Sequence, residues 1–321
     1  MSLSARRLRL FLVGPLVAAG LGWSVARADD EQPLVISEAV DAVLVQAARS
    51  GTPILAVAGH ENCREAPTLK RRLVTEPSLQ PLVGRFALVE LEMTGDRLWE
   101  WKRWQARFES RLRKSPQVFV IRADGTSLYA GEPPPDLASF LVAHLSRAGL
   151  PLAPRQAEQF TAQLDAATRL RDGGDLAAAV RALTPAVRTP SFAESVVRSA
   201  ALRGTIAAQA LAAVDEAAAK VADQPEDVAA ALVLVATADD FAPTLPEVAR
   251  AARERLTATG RTPAGRELIR QAELVWRADE ATRRAPDVGR GMYERIIAAH
   301  PRTPLAELAA QRLERARERP L

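Results

Sequence analysis

The chain has 321 residues, 48% of them hydrophobic and 26% charged, with one cysteine and three histidines. Its net charge of +4 comes from 43 basic against 39 acidic side chains, and four arginines with no acid stand in the first 28 residues. The remainder is balanced, so the basic character points to no nucleic-acid partner. A single thiol excludes an internal disulfide, and His60, His144 and His300 share no ligand spacing, so no metal or other cofactor is expected.

Residues 1–28 combine a basic start (Arg6, Arg7, Arg9), the apolar run LFLVGPLVAAGLGWSV and the small-x-small pattern Ala26-Arg27-Ala28. This pattern predicts a signal peptide cleaved near Asp29. The run is shorter than the ~20 apolar residues that span a bilayer and is broken by Gly14, Pro15, Gly20 and Gly22. The expected product is therefore exported, periplasmic or extracellular, without a stable membrane span, by the general secretory or the twin-arginine route.

Residues 37–49 have a Ser start and apolar positions at helical spacing, which predicts an amphipathic helix ended by Gly51-Thr52-Pro53. PILAVAG then reads as a strand buried on both faces. The next helix is expected over 67–74, with EPSLQPLVGR as its exit. A strand over 86–93 and a helix over 96–108 follow, the tryptophans of that helix being assigned to packing. Lys114-Ser115-Pro116 precedes a strand at 117–121, a tight RADG turn and a strand at 127–131. A helix at 136–148 closes the region. The order predicts a parallel βαβ unit, a β-hairpin and a closing helix.

With those landmarks in place, residues 37–150 resemble the thioredoxin-like family, in particular its exported members with an ADGxxLYxG-type hairpin. The resemblance implies an α/β thioredoxin-like domain over 29–150. In that family a Trp-Cys-x-x-Cys motif opens the helix after the central strand, and a cis-proline faces it. Cys63 then takes the place of the attacking cysteine and Pro116 that of the cis-proline. Three positions depart from the pattern: Ala66 replaces the resolving cysteine, Asn62 the tryptophan, and Val57 the buried acid. The resemblance marks Asn62, Arg64, Ser115 and Pro116 as candidate substrate-binding residues, since the cis-proline loop holds extended peptides in this family.

Cys63 is the candidate catalytic nucleophile. A thiol at a helix N-terminus is favoured as thiolate by the unpaired N–H donors and the helix dipole. Arg64 would act in the same sense, and Glu61 and Glu65 against it. One thiol excludes a dithiol cycle. Two readings stay open: a relic in a domain kept for binding polypeptides, or monothiol exchange in which a partner thiol resolves the mixed disulfide. Oxidation to sulfenic acid belongs with the second. Exported or periplasmic proteins are the expected partners.

LPLAPRQ marks a linker at 151–154, and beyond it the composition turns to Ala, Leu, Arg and Glu. Helices are expected over 155–172, 175–187, 192–222, 226–238, 245–258, 263–285, 288–299 and 304–317. Segments 173–196 and 285–308 share an acid near the helix start and a Thr-Pro restart. YERIIAAHPRTPLAELAAQRLERA resembles a tetratricopeptide-like repeat, which implies a divergent helical-hairpin domain over 155–321. Such an array is either a protein-binding scaffold or alanine-rich packing alone. No Ser/His/Asp set or phosphate-binding loop appears in it.

Overall fold

The computed structural model of the protein describes residues 40–60, 62–108 and 114–318. The predicted leader and the first residues after it lie outside the described residues. An α/β region is followed by a run of helices. The α/β region comprises α1 (Val40–Ser50), β1 (Ile54–Gly59), α2 (Glu65–Thr75), α3 (Gln80–Val83), β2 (Ala87–Glu92), a 3-10 turn at Gly95–Arg97, α4 (Leu98–Arg107), β3 (Gln117–Ile121), β4 (Ser127–Gly131) and α5 (Leu137–Ala148). The short helix α3 lies inside the expected exit segment, begun by Pro81 in its first turn, a position whose missing N–H costs the helix nothing.

The four strands form a mixed sheet in the order β2-β1-β3-β4. β1 pairs parallel with β2 and antiparallel with β3, which pairs antiparallel with β4. Alternation along β1 divides its side chains between two layers. Ile54, Ala56 and Ala58 face a core built with Val40 and Ala47 of α1 and Trp101 and Trp104 of α4. Val57 is on the other face with its neighbour Glu90, which pairs with Lys70 of α2. On that same face Tyr129, opposite Val120, packs edge-on against Phe140 of α5, with centroids 4.7 Å apart.

The rings of Trp101 and Trp104 both meet Phe119 edge-on at 5.8 Å. Trp99 corrects the packing expectation for this helix: it is 52% exposed. Two residues along a helix turn the side chain by about 200°, so a residue two before Trp101 points away from the sheet. The Arg103 guanidinium lies over its ring, 5.3 Å from the centroid.

The helical region contains α6 (Pro154–Asp172), α7 (Leu176–Val187), α8 (Glu194–Asp223), α9 (Val228–Asp240), α10 (Pro246–Thr259), α11 (Pro263–Arg284), α12 (Pro286–Ala299) and α13 (Pro304–Glu318). Asp175, Asp227 and Thr262 each accept a backbone N–H three residues on, which stops α7, α9 and α11 from fraying at their starts. α8, 30 residues long, runs from a core with Leu164, Leu183 and Val248 to a second core with Leu234, Leu268 and Tyr293. α9 is apolar around its whole circumference, VAAALVLVA, and packs on α8, α10, α11 and α13.

The Thr-Pro restart holds at one of its two occurrences. Thr303 caps α13, accepting the Ala306 N–H at 3.3 Å. Thr189 instead donates to the Pro185 carbonyl at 2.9 Å, and α8 begins four residues beyond Pro190 without a side-chain cap. The segment between them is engaged by the α/β region: the Pro190 carbonyl accepts the Leu150 N–H at 2.8 Å, and the Phe192 ring lies under Arg122 at 3.8 Å. In the expected linker, Leu152 is buried among Phe160, Ala193 and Val196, and its N–H donates to the Ser50 carbonyl at 2.7 Å.

Candidate functional site

β1 ends at Gly59, and the chain turns through His60 and Asn62 to Cys63, whose N–H bonds the His60 carbonyl at 2.9 Å. α2 starts two residues later. Its N-cap position, Arg64, makes no side-chain cap, so the first backbone donors of the helix are free for another acceptor. The Cys63 sulfur takes that role, accepting from the N–H groups of Glu65 and Ala66. Cys63 is a free thiol and 8% exposed.

A third donor comes from 52 residues further on. The Ser115 hydroxyl donates to the Cys63 sulfur. The same oxygen accepts the His60 N–H at 3.4 Å, so its one proton is left for the sulfur. Burial raises the Cys63 thiol, and the nearby Glu65 charge does so too. The hydrogen bonds from Ser115, Ala66 and Glu65 outweigh both, and the thiol lies below its ordinary value.

The Ser115–Pro116 peptide is cis, and Pro116 is buried. Gln117, also buried, donates its side-chain amide to the Lys114 carbonyl at 2.7 Å and so braces this loop from within. The structure therefore brings Cys63, Ser115 and the Pro116 loop together. Asn62 and Arg64 stand at the same turn with exposed side chains. Val57 is buried in β1, 2% exposed, next to Glu90 on the neighbouring strand.

Gly59 is the site residue that the pattern of side chains alone passes over. A Cβ on it would stand 2.5 Å from the Ala66 Cβ, closer than any two such atoms approach. The absence of a side chain at 59 and the small one at 66 let α2 come down onto the end of β1 and point its first N–H groups at the sulfur. A glycine ending an apolar run, seven residues before a buried alanine, was the available signal.

β1 also separates the site from the helical region. Gly51, before β1, faces Ser191 and Ala193, whereas Cys63 follows the strand's other end. Six residues of strand put about 17 Å between the two ends. Among the described residues no helix is long and apolar enough to cross a membrane, and no cluster of three or more His, Cys, Asp or Glu could hold a metal ion.

No protein-family model matches the chain, and no curated protein matches it.

Proposed function

We propose that this is an exported thioredoxin-fold protein that binds polypeptides at the Cys63–Ser115–Pro116 edge, carries a tetratricopeptide-like helical region as scaffold, and runs no dithiol cycle. One observation carries the reading: the position three residues after Cys63 is a buried alanine seated against Gly59, and the chain has no second thiol to resolve a mixed disulfide. The helical region meets the far end of β1, and at the Cys63 end Asn62 and Arg64 are exposed to a passing chain.

A second reading, monothiol exchange, is favoured by the three donors on the sulfur. Thiolate is the attacking species, and a thiol held below its ordinary value supplies more of it at neutral pH. In such a step the Cys63 thiolate attacks a client disulfide and forms one S–S bond. The client's other sulfur leaves as thiolate, and a partner thiol must release Cys63.

Reduced, carboxymethylated lactalbumin tests the first reading, because it is unfolded and has no thiol or disulfide to exchange. Saturable binding that survives Cys63→Ser supports polypeptide recognition, and the absence of binding overturns it. Catalytic reduction of insulin that disappears in Cys63→Ser would establish the second reading in its place. Little turnover is expected from the natural chain, and Ala66→Cys should raise it by supplying the missing resolving thiol.

A further inference from the structure

β3 continues after its first residue as Val118, Phe119, Val120 and Ile121, all apolar, but that first residue is Gln117, which has no exposed surface. Its partner across the ladder is Ala58, the residue before Gly59. Alternation puts Gln117 on the same sheet face as Phe119 and Ile121, which belong to an apolar core. An aliphatic side chain of similar size would suit that face. A buried amide is costly unless its polar atoms are bonded, so packing alone does not account for a glutamine here.

The bond that the amide makes does account for it. Its N–H donates to the Lys114 carbonyl at 2.7 Å. The Lys114 carbonyl carbon is joined to the Ser115 nitrogen through a rigid, planar peptide, so holding its oxygen holds the plane from which the Ser115 side chain projects. The Ser115 oxygen is gripped from the β1 side as well. It accepts the His60 N–H at 3.4 Å and lies 3.7 Å from where a Gly59 Cβ would stand. The direction of the Ser115 hydroxyl is therefore set by two backbones, one of them restrained by Gln117.

We propose that Gln117 is a positioning residue of the Cys63 edge: it holds the peptide plane before Ser115 and thereby keeps the Ser115 hydroxyl on the Cys63 sulfur. It acts through Ser115, from inside the core, and not on the sulfur itself. This role rests on the reading of that edge as the functional one, and adds to it a residue that no local pattern around Cys63 contains.

Iodoacetamide alkylation of Cys63 in the full chain, followed against pH, tests the role without any client, so the outcome is separate from polypeptide binding. Gln117→Met keeps the length of the side chain and removes the donor. The alkylation midpoint should move up, toward that of an ordinary thiol, with the rate at pH 7 falling about threefold. Adding Gln117→Met to Ser115→Ala should change the profile no further, because both substitutions act on one bond. A lowered melting temperature with an unchanged alkylation profile overturns the proposal, since the amide then serves the fold alone. Additive effects of the two substitutions overturn it too, as does failure of both Gln117→Met and Gln117→Leu to fold.

Discussion

The two regions reach a dry interior by opposite means. The α/β region concentrates its burial in a few large side chains, Trp101, Trp104, Phe108 and Phe119, clamped between one sheet face and two helices. The helical region distributes it over many small ones, with Ala217, Ala231, Ala252, Ala272, Ala278 and Ala309 letting helices approach closely around α9. Removing volume should therefore hurt the first region most, and adding volume the second. Both costs follow from interiors packed to crystal-like density.

The largest expected effect is at the aromatic cluster. Phe119→Ala, at a fully buried strand position touched by two tryptophan rings, should cost about 3–5 kcal/mol in urea unfolding. Next comes added volume at the α11–α12 crossing. A Cβ on Gly289 would lie 2.0 Å from the Thr282 hydroxyl and 2.5 Å from its backbone, which cannot yield, so Gly289→Ala should cost about 3 kcal/mol. If Gly289→Ala proved neutral and Phe119→Ala mild, the contrast between the regions would fail.

The junction should respond less in stability and more in cooperativity. Gly149 has φ 79° and ψ −178°, a conformation open essentially to glycine alone, and a Cβ there would meet the Phe192 ring at 2.7 Å. Gly149→Ala should cost about 2 kcal/mol. It should also separate the unfolding curves followed by circular dichroism, weighted to the helices, and by tryptophan fluorescence, weighted to α4. Coincident curves in the natural protein that stay coincident in the variant would show that the Leu150–Pro190 and Leu152–Ser50 bonds suffice to couple the regions.

The smallest stability effect, with a clear functional readout, is at Ser115. Ser115→Ala removes one donor to the sulfur, so the pH midpoint for iodoacetamide alkylation of Cys63 should move up, toward that of an ordinary thiol. The sign follows for stability too. A thiol lowered in the folded state stabilises the fold above the ordinary thiol range and loses that contribution as pH falls through the lowered value. Ser115→Ala should shrink this alkaline advantage, and Ser115→Thr, which keeps the hydroxyl, should preserve it. An alkylation profile unchanged by Ser115→Ala would remove Ser115 from the account of the thiol.

Much of the local structure was legible. β1 stood out as a continuous apolar run, and the helix starts expected at 175, 226 and 263 fall within two residues of those of α7, α9 and α11, where the short side chains of Asp175, Asp227 and Thr262 satisfy free N–H groups. Trp99 was misread because a helix containing three tryptophans was treated as one packing unit, although positions two apart face opposite ways. Thr189-Pro190 was misread because a local cap signal competed with a contact to the α/β region that no local pattern encodes. At the site, Cys63 and Ser115 were both marked, but not the bond between them, since 52 residues of chain separate them.

The amino-acid sequence by itself determined the order of the main elements and the single thiol without a partner, because these depend on side-chain period and composition. Only the tertiary structure decided which donors converge on that sulfur and that Leu152 and Phe192 join the two regions. Both turn on distances between residues far apart in the chain, set by how Gly59 and Gly149 allow backbones to approach. A glycine in a sequence states that close approach is possible there; what approaches is settled by the fold.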